Sequence, residues 1–320
     1  MSAAAVADVG TKTAIHTEML CKSYGSRPAL VDVDLTVRTG EIYGFLGPNG
    51  AGKTTVIRVL LDLLRPTSGT VEVLGGDPRR SGTAVRRRLG YLPGEFVIYG
   101  SQSVGEALAG LARLRGGVPH RRIVELAEGM ELDLHRRVGE LSKGNRQKVG
   151  LVQAFMHDPE LLILDEPTDG LDPLLRQRFI EMVQQVRADG RTVFLSSHIL
   201  SEVQATADRI GMIRGGSIVA VDTVRALRNR AVRRVEMQFH DTVTAAEFCG
   251  LPFLEDVVVT AESDLFVLRC HLTGSADLLV KTAARHRLGS LRVEEPDLEE
   301  VFMTLYQADH DSSRPGNAGP

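Results

Sequence analysis

The chain has 320 residues, 43% hydrophobic and 25% charged, a balance that excludes wholesale disorder and any collagen-like or disulfide-stapled architecture. Its formal charge of −3 lacks the basic excess of a protein that coats nucleic acid, so no nucleic-acid partner is expected. The three cysteines (Cys21, Cys249 and Cys270) are odd in number and far apart, which fits a reducing compartment.

Residues 1–14 read as a flexible leader. Between about 18 and 75 the chain is strand-rich: EMLCKSYG, then ALVDVDLTV with period-two alternation, then EIYGFLG running into a Gly-rich turn. A helix is predicted from Lys53 to about Leu63, closed by RPTSGT, and VEVLGG is a further strand. Residues 81–137 are rich in Arg, Leu and Ala at helical spacing, which predicts a helical subdomain reaching to about 155. Strands return at 161–165 and 192–196 around a helix at 173–188. Short apolar runs alternating with helices predict an α/β fold with a mostly parallel sheet covered on both faces.

The texture changes again after about 221. Strands at 233–239, 256–260, 265–271 and 290–294 alternate with helices near 243–248 and at 275–286, and a helix at 297–307 closes the domain. The order is the split βαβ pattern of ferredoxin-like α+β domains. A separate C-terminal domain is therefore expected over 221–308, followed by a disordered tail at 309–320. No stretch has the roughly 18 consecutive apolar residues that span a bilayer, and MSAAAVADVG lacks a signal-peptide pattern, so a cytosolic location is expected.

Three segments carry chemistry. Gly47-Pro48-Asn49-Gly50-Ala51-Gly52-Lys53-Thr54 fits G-x-x-x-x-G-K-[ST] and lies between an apolar strand and a helix. Its glycines let backbone N–H groups converge on phosphate oxygens, and the helix start adds its positive end. Lys53 would reach the β- and γ-phosphates, Thr54 would hold Mg²⁺, and Thr55 continues the phosphate-binding turn. In the second segment, Leu161–Leu164 form a buried strand ending in Asp165-Glu166-Pro167. Asp165 would take Mg²⁺, and Glu166 would orient or deprotonate the attacking water. The third segment is Leu141-Ser142-Lys143-Gly144-Asn145-Arg146-Gln147, which by itself reads as a helix start capped by Ser142.

Taken in chain order, the three segments resemble the phosphate loop, LSGGQ signature and magnesium strand of ABC-transporter ATPases, P-loop NTPases whose ATPase domain would here span 15–220. The resemblance implies further roles. Tyr24 would stack on adenine. Thr168-Asp169-Gly170-Leu171-Asp172 would form the D-loop that crosses a dimer interface. His198, after Ser196-Ser197, would be the switch histidine that bonds the γ-phosphate and holds Glu166 in line. Ser142, Gly144 and Asn145 would face the nucleotide of a second copy, so the active species would be a homodimer.

Three motifs depart from the family pattern. The Gln of the magnesium-sensing loop is missing from Tyr91-Leu92-Pro93-Gly94-Glu95, so either Gly94 or Glu95 takes that slot, and only Glu95 could hold a magnesium-bound water. Lys143 stands for a signature Gly and Asn145 for its Gln. Asp169 stands where Ser or Ala is common.

The stretch from Leu291 to Tyr306 is similar to the tail of bacterial exporter ATPases of the daunorubicin/doxorubicin-resistance type. That resemblance implies a separate multi-spanning permease and a place on the cytoplasmic face of a bacterial membrane. Leu298, Val301, Phe302, Leu305 and Tyr306 would form one apolar helical face, packing the small domain or stabilising the dimer. Two other readings are an importer ATPase, whose extra domain would be a β-rich barrel, and a soluble ABC-type ATPase acting in translation or on DNA. The relatives of the latter kind carry two ATPase units or a long coiled coil, and this sequence has neither.

Overall fold

Strand β3 (Ile42–Leu46) carries no charge and is buried throughout, the signature of a strand covered on both faces. It lies inside a six-stranded sheet in a computed structural model that describes residues 12–226, 232–262 and 265–294. The strands are β5 (Leu89–Leu92), β6 (Leu161–Asp165), β7 (Thr192–Ser197), β3, β8 (Arg209–Arg214) and β9 (Ser217–Thr223), in that spatial order. From β5 to β8 all neighbours are parallel. The mostly parallel α/β sheet expected from the sequence is present.

The side chains of β3 alternate between two layers. Tyr43 and Phe45 join a core with Val56, Ile57 and Leu60 of helix α1 (Lys53–Leu60). Gly44 points the other way, where a Cβ would lie 2.1 Å from Val203 of a later helix, α7 (Leu200–Thr206). α1 and α7 therefore cover opposite faces. A second, three-stranded antiparallel sheet is formed by β2 (Arg27–Arg38), β1 (Thr13–Tyr24) and β4 (Ser68–Val73). Its Ile15, Leu20, Leu30, Val33, Leu35 and Val37 complete the same core. Thr13 and Ala14 belong to β1 rather than to a leader, and Ala14 is buried.

The stretch read as helical also contains a strand of the main sheet. Helix α2 (Pro78–Arg87) is kinked at Gly82 and leads into β5, which pairs with β6. Four residues are too few to show a period, and Gly90 is chosen by contact: a Cβ there would lie 2.2 Å from the carbonyl of Ala154. The helices that follow are α3 (Val104–Leu114), α4 (His120–Gly129), α5 (Lys143–Phe155) and α6 (Pro173–Ala188). Ser103 and Glu106 form a capping box on α3, and Asp172 caps α6.

The chain divides into two compact units, 1–222 and 223–320. The second contains β10 (Arg233–Phe239), β11 (Leu254–Glu262), β12 (Leu265–Leu272), helix α8 (Asp277–Ala283) and β13 (Leu288–Glu294). Its sheet order is β11-β12-β10-β13, antiparallel throughout, as a split βαβ pattern requires. The first connection is a single 3₁₀ turn at Ala245–Glu247 rather than the predicted helix. The core follows the period of two in β10, with Val235, Met237 and Phe239 buried against Leu268, Leu272 and Leu279. The predicted closing helix and its apolar face lie outside the described residues, as do the tail and most of the leader.

Candidate active site

Residues Gly47 to Gly52 bridge β3 and α1, as the spacing requires. Gly47 is buried against β8, where a Cβ would lie 2.4 Å from the carbonyl oxygen of Ile213. Gly52 has φ of 116°, in the region that glycine tolerates, and no side chain caps α1 there. The first-turn amides of α1 are thus available to an anion at the positive end of the helix. Pro48, Asn49 and Gly50 form the exposed tip, Ala51 is buried, and Thr54 and Thr55 are half-buried in the first turn of α1. Lys53 is buried and folds back on the loop, donating to the carbonyl oxygens of Gly47 at 2.5 Å and Pro48 at 3.3 Å.

The ends of β6 and β7 meet this loop. Thr54 Oγ1 donates to Asp165 Oδ2 at 2.8 Å, and Ser196 Oγ donates to the other oxygen, Oδ1, at 2.6 Å. Ser196 also accepts from the backbone N–H of Glu166, at Oγ (3.1 Å) and through its carbonyl oxygen (3.2 Å). Glu166 adopts φ of 48°, a left-handed conformation that costs a non-glycine residue about 1–2 kcal/mol. That turn swings its carboxylate out of the strand direction. One oxygen, Oε2, lies 2.8 Å from His198 Nδ1, and the other, Oε1, lies 3.1 Å from Lys53 Nζ. The lysine contact is an ion pair without hydrogen-bond geometry, so Oε1 is buried with lone pairs still able to accept a proton. Tyr91 of β5 also lies close, and burial first, with the Asp165 charge second, pushes its hydroxyl pKa up to about 12. It remains a neutral donor at physiological pH.

Lys53, Thr54, Asp165, Glu166 and His198 are therefore gathered in one place from three separate segments. Tyr24 ends β1 with its ring half exposed and Lys22 Nζ 5.3 Å from the ring centroid. The same hairpin touches the phosphate loop further along, since a Cβ on Gly52 would meet Leu30 and Ala29. Ser142, Gly144 and Asn145 do not join the phosphate loop. Ser142 caps α5 by accepting from Asn145 N, while Gly144 is packed against Gly170 so closely that a Cβ would lie 2.7 Å from its carbonyl oxygen.

Gly94 lies beside the end of β6, with the site of its absent Cβ 3.3 Å from Asp165 Oδ2. Glu95 is exposed and acts on Lys143, whose ammonium is held above its ordinary pKa by Asp169 first and more weakly by Glu95. Among the described residues no group of three or more His, Cys, Asp or Glu side chains could hold a metal. Two further residues, to which the sequence assigns no role, contact this site. Ser196 links Asp165 to Glu166, and its signal was a hydroxyl at the end of an apolar strand. Gln147, buried on α5, donates from Nε2 to the carbonyl oxygens of Glu166 and Pro167, both at 3.2 Å.

Comparison with known proteins gives a consistent picture. A family model described as ABC transporter matches residues 30–169. The bacitracin transport ATP-binding protein BcrA of Bacillus licheniformis is 34% identical over 299 residues, covering 92% of this chain and 97% of that protein. The linearmycin resistance ATP-binding protein LnrL of Bacillus subtilis is 30% identical over 303 residues, covering 91% and 97%. A solved ATP binding subunit of an ABC transporter superposes with a TM-score of 0.64 at 31% identity, over 68% of this chain and 92% of that one. The chain belongs to the ABC transporter ATP-binding proteins, a family of transport-coupled ATPases.

Proposed function

We propose that this chain is the ATP-hydrolysing subunit of an exporter, works beside a separate multi-spanning permease on the cytoplasmic face of a bacterial membrane, and moves drug-like or antibiotic-like cargo. The observation that carries the chemistry is the setting of Glu166, with one oxygen on His198 and the other buried beside Lys53. A carboxylate held in this way can take the proton of an attacking water at Oε1 while His198 fixes its orientation. A γ-phosphate would compete with Glu166 for Lys53, moving the ammonium onto the phosphates and leaving Glu166 free to act as base. Thr54 Oγ1 and Asp165 Oδ2, two hard oxygen donors 2.8 Å apart, suit Mg²⁺. Bound there, the ion would neutralise charge on the β- and γ-phosphates.

In this reading Ser142, Gly144 and Asn145 face the nucleotide of a second copy, which completes both sites of a C₂ dimer. The packing of Gly144 against Gly170, away from the chain's own phosphate loop, supports it. Tyr24, half exposed at a hairpin end near that loop, would stack on adenine. Cargo and direction rest on BcrA and LnrL, whose names refer to bacitracin transport and linearmycin resistance. Among the described residues the second unit forms an open four-stranded sheet, which supports an exporter over an importer. Among the described residues no helix is long and apolar enough to cross a membrane; in this reading the separate permease supplies the pathway.

A pull-down from native membranes with tagged Glu166→Gln protein, ATP and Mg²⁺ tests this reading. Recovery of one multi-spanning protein, lost when Lys53 is also replaced, supports it. Ribosomal or DNA-bound partners without a membrane protein would overturn it.

A further inference from the structure

The first turn of α5 and the loop after Glu166 are joined at three levels. Lys143 Nζ pairs with Asp169 Oδ2 at 2.6 Å. Gly144 packs on Gly170. One turn further along, Gln147 donates to the carbonyl oxygens of Glu166 and Pro167. The Asp169 backbone closes the circuit, its N–H donating to the carbonyl oxygen of Glu166 at 3.2 Å. Glu166 thus has its carbonyl held twice in a backbone conformation, φ of 48°, that a non-glycine residue adopts only at a cost.

Two of the positions that depart from the family pattern, Lys143 and Asp169, are partners of each other. As a stabilising contact the pair counts for little: both side chains are largely exposed, and such pairs are screened by water. Its position is what distinguishes it, because it spans the two segments that the function separates.

We propose that Lys143 and Asp169 are positioning residues, a latch that ties the signature turn to the backbone of Glu166 in the same chain. Engagement of Ser142 and Gly144 by the nucleotide of the second copy is then felt at Glu166, which acts on the nucleotide of the first. One chain thereby links the two sites of the dimer. This rests on the dimer reading given above.

The test is a double-mutant cycle on the purified full-length chain, with kcat, KM for ATP and thermal midpoint measured for each variant. Lys143→Ala and Asp169→Ala are each expected to lower kcat by about three- to tenfold, the scale of a small misalignment of a reacting group, with KM within about twofold. The thermal midpoint should not move, as for an exposed pair. The double variant should be no worse than the worse single one, and Lys143→Asp combined with Asp169→Lys should recover most of the loss. Losses that add, the absence of any loss, or no recovery on reversing the pair would overturn the latch. The underlying reading is checked separately by light scattering of Glu166→Gln protein with ATP. A chain that stays monomeric there would overturn the dimer and the latch together, whereas a dimer with uncoupled single variants would overturn the latch alone.

Discussion

His198 Nδ1 stands 2.8 Å from Glu166 Oε2, although the two residues follow different strands and are 32 positions apart. Adjacent pairing of β6 with β7 makes this possible, since Asp165 lies opposite Ser196 in register and each strand continues by one or two residues into its functional side chain. A parallel sheet delivers such groups to its carboxyl edge, where the loops diverge and a ligand can enter. The site is thus a consequence of strand register as much as of residue identity.

Ser196 is the residue on which that register acts. It is fully buried, donates to Asp165 and accepts from the N–H of Glu166. Ser196→Ala leaves a buried carboxylate oxygen without its donor, which should cost about 1–3 kcal/mol of stability. Urea unfolding should show the loss, and ATP turnover should fall with it because Asp165 and Glu166 lose their common anchor. Unchanged unfolding would mean that other groups replace the hydroxyl.

The magnesium-sensing role that the family resemblance implies for this loop can be tested by comparing two neighbours. Gly94→Ala places a methyl 3.3 Å from Asp165 Oδ2, closer than the carboxylate readily accepts, so the apparent Mg²⁺ requirement of ATP turnover should rise. Glu95→Gln changes an exposed side chain and should leave that requirement within about twofold. The opposite ranking in a Mg²⁺ titration would return the slot to Glu95.

Much of this site was legible because its motifs are local. Gly47–Thr54 and Leu161–Glu166 each carry strand, turn and chemistry within eight residues or fewer, so pattern and context coincide in the sequence. What escaped is non-local. β5 is four residues long and includes a glycine that the close packing of Ala154, Leu162 and Pro159 explains. β8 and β9 were given no element, because residues 209–223 mix charged and apolar side chains without a clear period. Lys143 and Asp169 were both noted as departures, yet nothing in a linear reading pairs residues 26 apart. In the second unit the alternation of β10 was readable, whereas the first connection contracted to a 3₁₀ turn. There Thr244 and Glu247 cap each other around a single turn.

His157 gives a pH signature to the fold. It follows α5, its Nε2 lies 2.9 Å from the carbonyl oxygen of Leu89, and burial pushes its pKa below the ordinary 6.5. Below that ordinary value the unfolded chain binds a proton that the folded chain resists. The contribution of His157 is therefore complete above 6.5 and is lost as pH falls through its lowered folded value. Urea titrations at neutral and mildly acidic pH should show a smaller acid-side loss for His157→Gln than for the unaltered chain. Equal losses would assign the acid sensitivity to other groups.

The central claim is that Glu166 is the base of ATP hydrolysis in a site completed by a second copy. The most direct measurement compares Glu166→Gln with the unaltered chain for ATP binding, single-turnover hydrolysis and mass in solution with ATP and Mg²⁺. The account predicts retained binding, a rate lowered by about a hundredfold or more, and an ATP-dependent dimer that persists. Hydrolysis near the unaltered rate would remove Glu166 from the reaction and contradict the account.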